Sequence, residues 1–144
     1  EVEMSETNGP AELPVYSIAE AFVKRSGMYI GQPVTFERVH TFLLGFETAM
    51  LYVRDELARD RNAFQPVGVL GQFREQLRSE GRLRWDSWSL TIVAEAIGWT
   101  GDEPPAIDDL TEEQHLEAVR DLLPLLEKVF ALPAELVTSL RDSA

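Results

Sequence analysis

Two histidines, each three residues after a glutamate, are the side chains whose type and spacing are best suited to chemistry: Glu37-x-x-His40 and Glu112-x-x-His115. On a helix that spacing puts carboxylate and imidazole on one face, and two such pairs with two further glutamates form the di-metal carboxylate site of a helical bundle. Glu47 and Glu95 are the mid-helix candidates to complete it. The alternative needs no metal. Glu112 falls in the first turn of its expected helix, where an acid is favoured by the helix dipole, and 25 Asp and Glu in 144 residues make chance pairs common. Coincidence is the better explanation, so no catalytic residue, metal site or cofactor is assigned. The chain has no cysteine, which removes disulfides, thiolate zinc sites and cysteine nucleophiles. Ser87 and Ser89 have no nearby histidine and no elbow motif, so a hydrolase reading has no support.

Charge points to a different kind of function. A formal net charge of -12 repels phosphate backbones at long range and favours encounter with basic surfaces, so nucleic acid is not an expected ligand. The charge is local. Residues 102–114 hold Asp102, Glu103, Asp108, Asp109, Glu112 and Glu113 with no Lys or Arg, whereas residues 54–84 hold seven arginines against five acids. No run approaches the roughly 18 consecutive apolar residues of a membrane span, and no leader-like segment is evident, so a cytoplasmic location is expected.

These residues need elements to position them. Residues 1–14 combine acids, prolines and a glycine with little apolar periodicity and read as a disordered lead-in, with one domain over residues 15–144. Ser17-x-x-Glu20 has the form of a capping box opening a short helix that ends near Gly27. Residues 27–33, with glycines at both ends and Pro33, read as extended or looped. From Thr35, Phe36, Val39, Leu43, Phe46, Met50, Val53 and Leu57 recur at spacings of three and four, predicting a long central helix to about Arg59.

After a break at residues 62–66, Val69, Leu70, Phe73 and Leu77 predict another helix, and residues 81–85 leave room for a short β-hairpin. Asp86 or Ser87 caps a helix carrying Trp88, Ile92, Val93, Ala96 and Ile97, with Gly98 as its stop. Trp88 is expected to be buried; together with Trp85 and Trp99 it also suits an aromatic contact patch. Residues 101–109 read as an exposed acidic loop. Thr111-x-x-Gln114 opens a further helix, kinked or divided by Pro124, and a last one starts at Pro133 and packs Leu136, Val137 and Leu140. The expected fold is all-α, with five or six helices around the long one.

The sharpest motif is Lys24-Arg25-Ser26-Gly27-Met28-Tyr29-Ile30-Gly31. It resembles the RPGMYIG sequence near the start of the gyrase B ATPase domain. The following helix, however, reads His40-Thr41-Phe42-Leu43-Leu44-Gly45-Phe46-Glu47-Thr48 without the metal-binding asparagine, and no glycine-rich phosphate lid follows, so that match is taken as coincidental. The motif also resembles a group of small bacterial immunity-like proteins, in which a short helix leads to RPGMY(I/L)G and a long helix follows with a pattern like FLxGFxxA. The match runs through Ala21 to Arg25, Gly27 to Gly31, Phe42 to Ala49 and more loosely Leu83 to Leu90, with Ser26 where the pattern has proline.

Members of that group lack catalytic residues, and the role suggested for them is to neutralise a toxin by binding it. The resemblance therefore implies a non-catalytic domain that binds a toxin or effector with a basic surface, with Tyr29, Asp102, Glu103, Asp108 and Asp109 as candidate contacts. The motif has a structural reading too, in which Met28, Tyr29 and Ile30 plug the end of the core. Two other functions stay open: an adaptor or structural subunit of a bacterial assembly, and a di-metal helical-bundle enzyme.

Overall fold

The computed structural model describes residues 17–57 and 68–142; the expected lead-in at residues 1–14 and the break at residues 62–66 lie outside them. The fold is all-α. Its helices are α1 (Ile18–Lys24), α2 (Ser26–Ile30), α3 (Phe36–Leu57), α4 (Val69–Ser79), α5 (Trp88–Ile97), α6 (Glu112–Asp121), α7 (Leu123–Phe130) and α8 (Leu132–Asp142), with one 3-10 turn at Ile107–Asp109. No helix among the described residues is long and apolar enough to cross a membrane.

This division is finer than five or six helices, for two local reasons. The GMYI segment, expected to be looped, is helical as α2: the Ser26 hydroxyl donates back to the Phe22 carbonyl at 2.8 Å, and Gly31, at φ 76°, ends the turn where a side chain would be strained. Pro124 splits the penultimate helix. The chain reorients at Leu122, and the proline falls in the first turn of α7, where its missing N–H has no helical partner to lose. No hairpin forms around residues 81–85; the only pairing there is an isolated bridge between Arg84 and Ser87 across a tight turn.

Helix α3 is the centre, touching α2, α4, α6, α7 and α8, while α5 packs along α6 and α1 along α7. Phe22 of α1 stacks on Phe42 of α3, with ring centroids 5.3 Å apart, and meets Phe130 of α7 at 5.6 Å; Phe46 meets Phe130 edge-on at 5.3 Å. Such ring pairs add about 0.5–1.5 kcal/mol each beyond the area they bury. A second knot joins α3, α4 and α5, where Trp88 takes Phe73 and His40 edge-on at 5.8 and 4.8 Å. Trp88 is buried, as expected.

The helix starts show how these elements are tied. Ser17 and Thr111 cap α1 and α6, and at α6 the box is reciprocal, Gln114 accepting from the Thr111 amide at 2.9 Å. Two other helices borrow acceptors from distant elements. His115 of α6 uses Nδ1 to accept the Phe36 N–H at 3.1 Å, and Glu47 of α3 accepts the Leu70 N–H in the first turn of α4 at 2.9 Å. Helix α4 starts at Gly68, which has no side chain to cap it, and a Cβ there would run into the Glu47 carboxylate.

The apolar face of α3 is buried in its first half only. Phe36, Val39 and Leu43 are fully covered, whereas Val53 and Leu57 stay exposed. Helix α8 buries none of its residues, and Val137 and Leu140, expected to pack, are exposed.

Removing the Glu47 acceptor leaves a buried amide at the positive end of α4. Glu47→Ala is expected to cost about 1–3 kcal/mol in urea unfolding, and Gly68→Ala to destabilise by displacing the same carboxylate. In the double variant the second change costs little, because the clash is gone; full additivity would show that the two residues do not meet.

Candidate functional site

The two Glu-x-x-His pairs and the mid-helix glutamates do not converge on one site. His115 is held by the Phe36 amide, Glu47 by the Leu70 amide, and Glu95 receives the Arg82 guanidinium at 2.7 Å. His40 sits half-buried against the Trp88 ring. Among the described residues no group of three or more His, Asp or Glu side chains lies close enough to hold a metal ion. The spacing of the di-metal pattern is present, but His115 and Glu47 each accept a backbone amide at the start of another helix.

Asp102 and Glu103 sit on a framework that begins at the turn before α5. Trp85 and Asp86 both have positive φ, 50° and 53°, and the Ser87 N–H closes the turn on the Arg84 carbonyl at 3.0 Å. Two left-handed central residues make a type I′ turn, a conformation that costs a non-glycine residue such as Trp85 roughly 1–2 kcal/mol. Surrounding contacts over-determine it. The fully buried Thr91 hydroxyl accepts the Arg84 N–H at 2.9 Å and donates to the Ser87 carbonyl at 2.7 Å. On the outside, Arg74 and Arg78 both bind the Asp86 carboxylate, holding it below the usual carboxylate range.

From this turn two side chains reach over to the loop after α5. The Arg84 guanidinium donates to the carbonyls of Trp99 and Gly101 and lies 4.1 Å above the Trp85 ring. The Trp85 indole N–H donates to the Asp102 carbonyl at 2.7 Å, and the Trp99 indole N–H donates to the Glu103 carbonyl at 2.8 Å. Four consecutive-region carbonyls, those of Trp99, Gly101, Asp102 and Glu103, are therefore all occupied by side-chain donors. The loop backbone is fixed while the Asp102 and Glu103 side chains stay exposed.

Asp108 and Asp109 follow on the 3-10 turn, also exposed, and Glu112 and Glu113 open α6. Asp109 lines one cleft with Trp99, Gly101 and Gln114; Glu112 lines another with Lys24, Met28 and Gln32. Tyr29 is the remaining candidate contact. It is 48% exposed on α2, its ring resting 5.2 Å from Phe22, and it lines neither of these clefts. Its neighbour Met28 is 76% exposed and faces the Glu112 cleft, a placement the motif did not reveal. Arg84, Trp85 and Thr91 were equally invisible as a unit, because their partners lie in other elements and no sequence spacing encodes them.

No family model matches the chain, and no curated protein or solved structure matches it.

Two outcomes follow from this geometry. Arg84→Gln removes the charged clamp and is expected to cost about 1.5–3 kcal/mol, the worth of hydrogen bonds to a charged group. In proton exchange the indole N–H groups of Trp85 and Trp99 should then lose protection together; unchanged exchange at both would show that Arg84 does not hold the loop. The second outcome concerns His40, whose burial against Trp88 pushes its imidazole below the ordinary value, with Glu37 pulling more weakly the other way. As pH falls, the unfolded chain takes up this proton before the folded one does, so the stability present above the unfolded value near 6.5 declines as pH drops through it. Thermal melts from about pH 7 down to pH 5 should show this loss, and His40→Phe should reduce it.

Proposed function

We propose that this chain is a non-catalytic protein-binding domain of the immunity-like kind, which docks its acidic edge on a basic surface of a toxin or effector and occludes it. The observation that carries this reading is the fixed acidic ledge. Asp102, Glu103, Asp108, Asp109, Glu112 and Glu113 are exposed along a segment whose backbone is fastened by Arg84, Trp85 and Trp99 and by the Thr111 capping box.

Binding loses affinity to the ordering of loops, and a loop already held by side-chain donors loses less. Carboxylates of one sign on a rigid ledge accelerate and orient encounter with a positive partner, while apolar contacts nearby supply most of the affinity. Tyr29 and Met28, exposed on α2, are candidate apolar contacts, and residues 102–114 themselves carry no basic side chain.

A second reading, an adaptor subunit of a larger assembly, draws on a different surface. Helix α8 buries no residue, and with the C-terminal half of α3 it leaves Tyr52, Val53, Leu57, Val137 and Leu140 exposed. An obligate subunit interface is expected to be apolar in this way.

Affinity capture from the native lysate separates the two readings by stoichiometry, salt dependence and what the bound partner does. For the first, the partner is a single basic protein whose toxic activity is lost on binding. Replacing Asp102, Glu103, Asp108 and Asp109 by their amides should slow association about tenfold or more at low salt and flatten its salt dependence, without changing the melting temperature much. A captured multi-subunit assembly, held equally well by the amide variant, would favour the adaptor instead.

A further inference from the structure

The cleft behind the acidic loop has features that a general negative field does not require. It is an open cleft of about 530 Å³, and among the residues lining it are Ile97 and Gly98 at the end of α5, Trp99, Asp109 at the end of the 3-10 turn, and Leu110 and Gln114 beyond it. No lysine or arginine lines it.

Three independent elements favour a positive charge there. The C-terminal end of α5 contributes the negative pole of a ten-residue helix. The Asp109 carboxylate forms no ion pair among the described residues. Trp99 is 40% exposed with its one polar group, the indole N–H, already committed to the Glu103 carbonyl, so what it offers a ligand is its ring. A cation over an indole face is attracted by the ring quadrupole. The Arg84 guanidinium does not fill this role from within: it is committed to the carbonyls of Trp99 and Gly101 and lies over Trp85, outside the cleft lining.

We propose that this cleft receives one arginine side chain of a protein partner, with the guanidinium between the Trp99 ring and the Asp109 carboxylate. Leu110 and Ile97 give the methylene stem an apolar wall. Arginine suits the place better than lysine because its planar, weakly hydrated guanidinium stacks on an aromatic ring and still donates in its plane to a carboxylate. The proposal rests on the reading that the acidic ledge meets a basic protein, and it names the side chain that the partner must insert.

The experiment needs no partner. The isotopically labelled full chain is titrated with N-acetyl-arginine amide, and the indole N–H resonance of Trp99 is followed; N-acetyl-citrulline amide, similar in shape but uncharged, is the control. The expected result is a saturable shift with a dissociation constant on the order of millimolar, as suits so small a ligand. The affinity should fall about fivefold or more with citrulline and in Asp109→Asn, and hold in Asp121→Asn, which removes the same charge from an exposed residue outside both the cleft and the ledge. Equal response to citrulline, equal loss in both variants, or no saturable shift would each overturn the proposal. If the cleft fails this test while a basic partner still binds through the ledge, the arginine assignment alone is wrong; a cleft that binds arginine in a protein with no basic partner would instead sink the docking function.

Discussion

A helix buried at its start leaves backbone N–H groups that must find acceptors, because an unpaired buried donor costs as much as a lost hydrogen bond or more. In this protein two of those acceptors come from far along the chain. His115 accepts at the start of α3, and Glu47, on α3 itself, accepts at the start of α4. The pair links α6, α3 and α4 in series, and α5, lying along α6 and against α4, takes its place from them. The surface that includes the turn at Trp85, the loop after α5 and the start of α6 inherits its geometry from this arrangement. Acceptors of this kind also explain why a metal-like pattern of Glu and His occurs without converging: carboxylates and neutral imidazoles are good acceptors for amides, and the positive end of a helix favours the carboxylate further.

The second constraint is the strained turn at Trp85 and Asp86. Two adjacent non-glycine residues in the left-handed region persist only where their surroundings over-determine them. Here Thr91 beneath, Arg74 and Arg78 outside and the Asp102 carbonyl at the far end of the indole together do so. The return for that strain is position. The turn aims Arg84 and Trp85 at the loop after α5, and the carbonyls of that loop are satisfied by side chains, so its acids face solvent from a fixed backbone. Exposed ion pairs such as Arg82 with Glu80 and Glu95 surround this region, but pairs in water contribute little, and the shape depends on the buried hydroxyl and the indole bonds.

The apolar residues divide the molecule differently. The aromatic knot of Phe22, Phe42, Phe46 and Phe130 closes one end of the core, and Trp88 with Phe73 closes another. Between α8 and the end of α3, by contrast, the apolar stripe continues in sequence without full burial. A groove lined by Met50, Leu51, Leu132 and Leu136 marks where these two helices meet. Amphipathic spacing states which residues share a face, and packing against neighbours decides whether that face is covered.

By itself the sequence determined the all-α class, the long helix from Phe36, the caps at Ser17 and Thr111, a cap at Asp86 or Ser87, the stop at Gly98, a kink or division near Pro124 and the burial of Trp88. Each of these depends on residues within a few positions of one another, where helical periodicity, a hydroxyl at a helix start or a missing N–H acts directly. The acidity of residues 102–114 was equally plain, since charge is additive along a chain. The helix at GMYI follows from the local Ser26–Phe22 bond, which apolar spacing does not show; tertiary structure alone decided that Glu47 and His115 cap distant helices, and that Arg84, Trp85 and Trp99 fasten the acidic loop and leave a cleft beside Asp109. Those outcomes join residues separated by between 4 and 79 positions, mostly through single hydrogen bonds whose donors and acceptors meet only after the helices have packed.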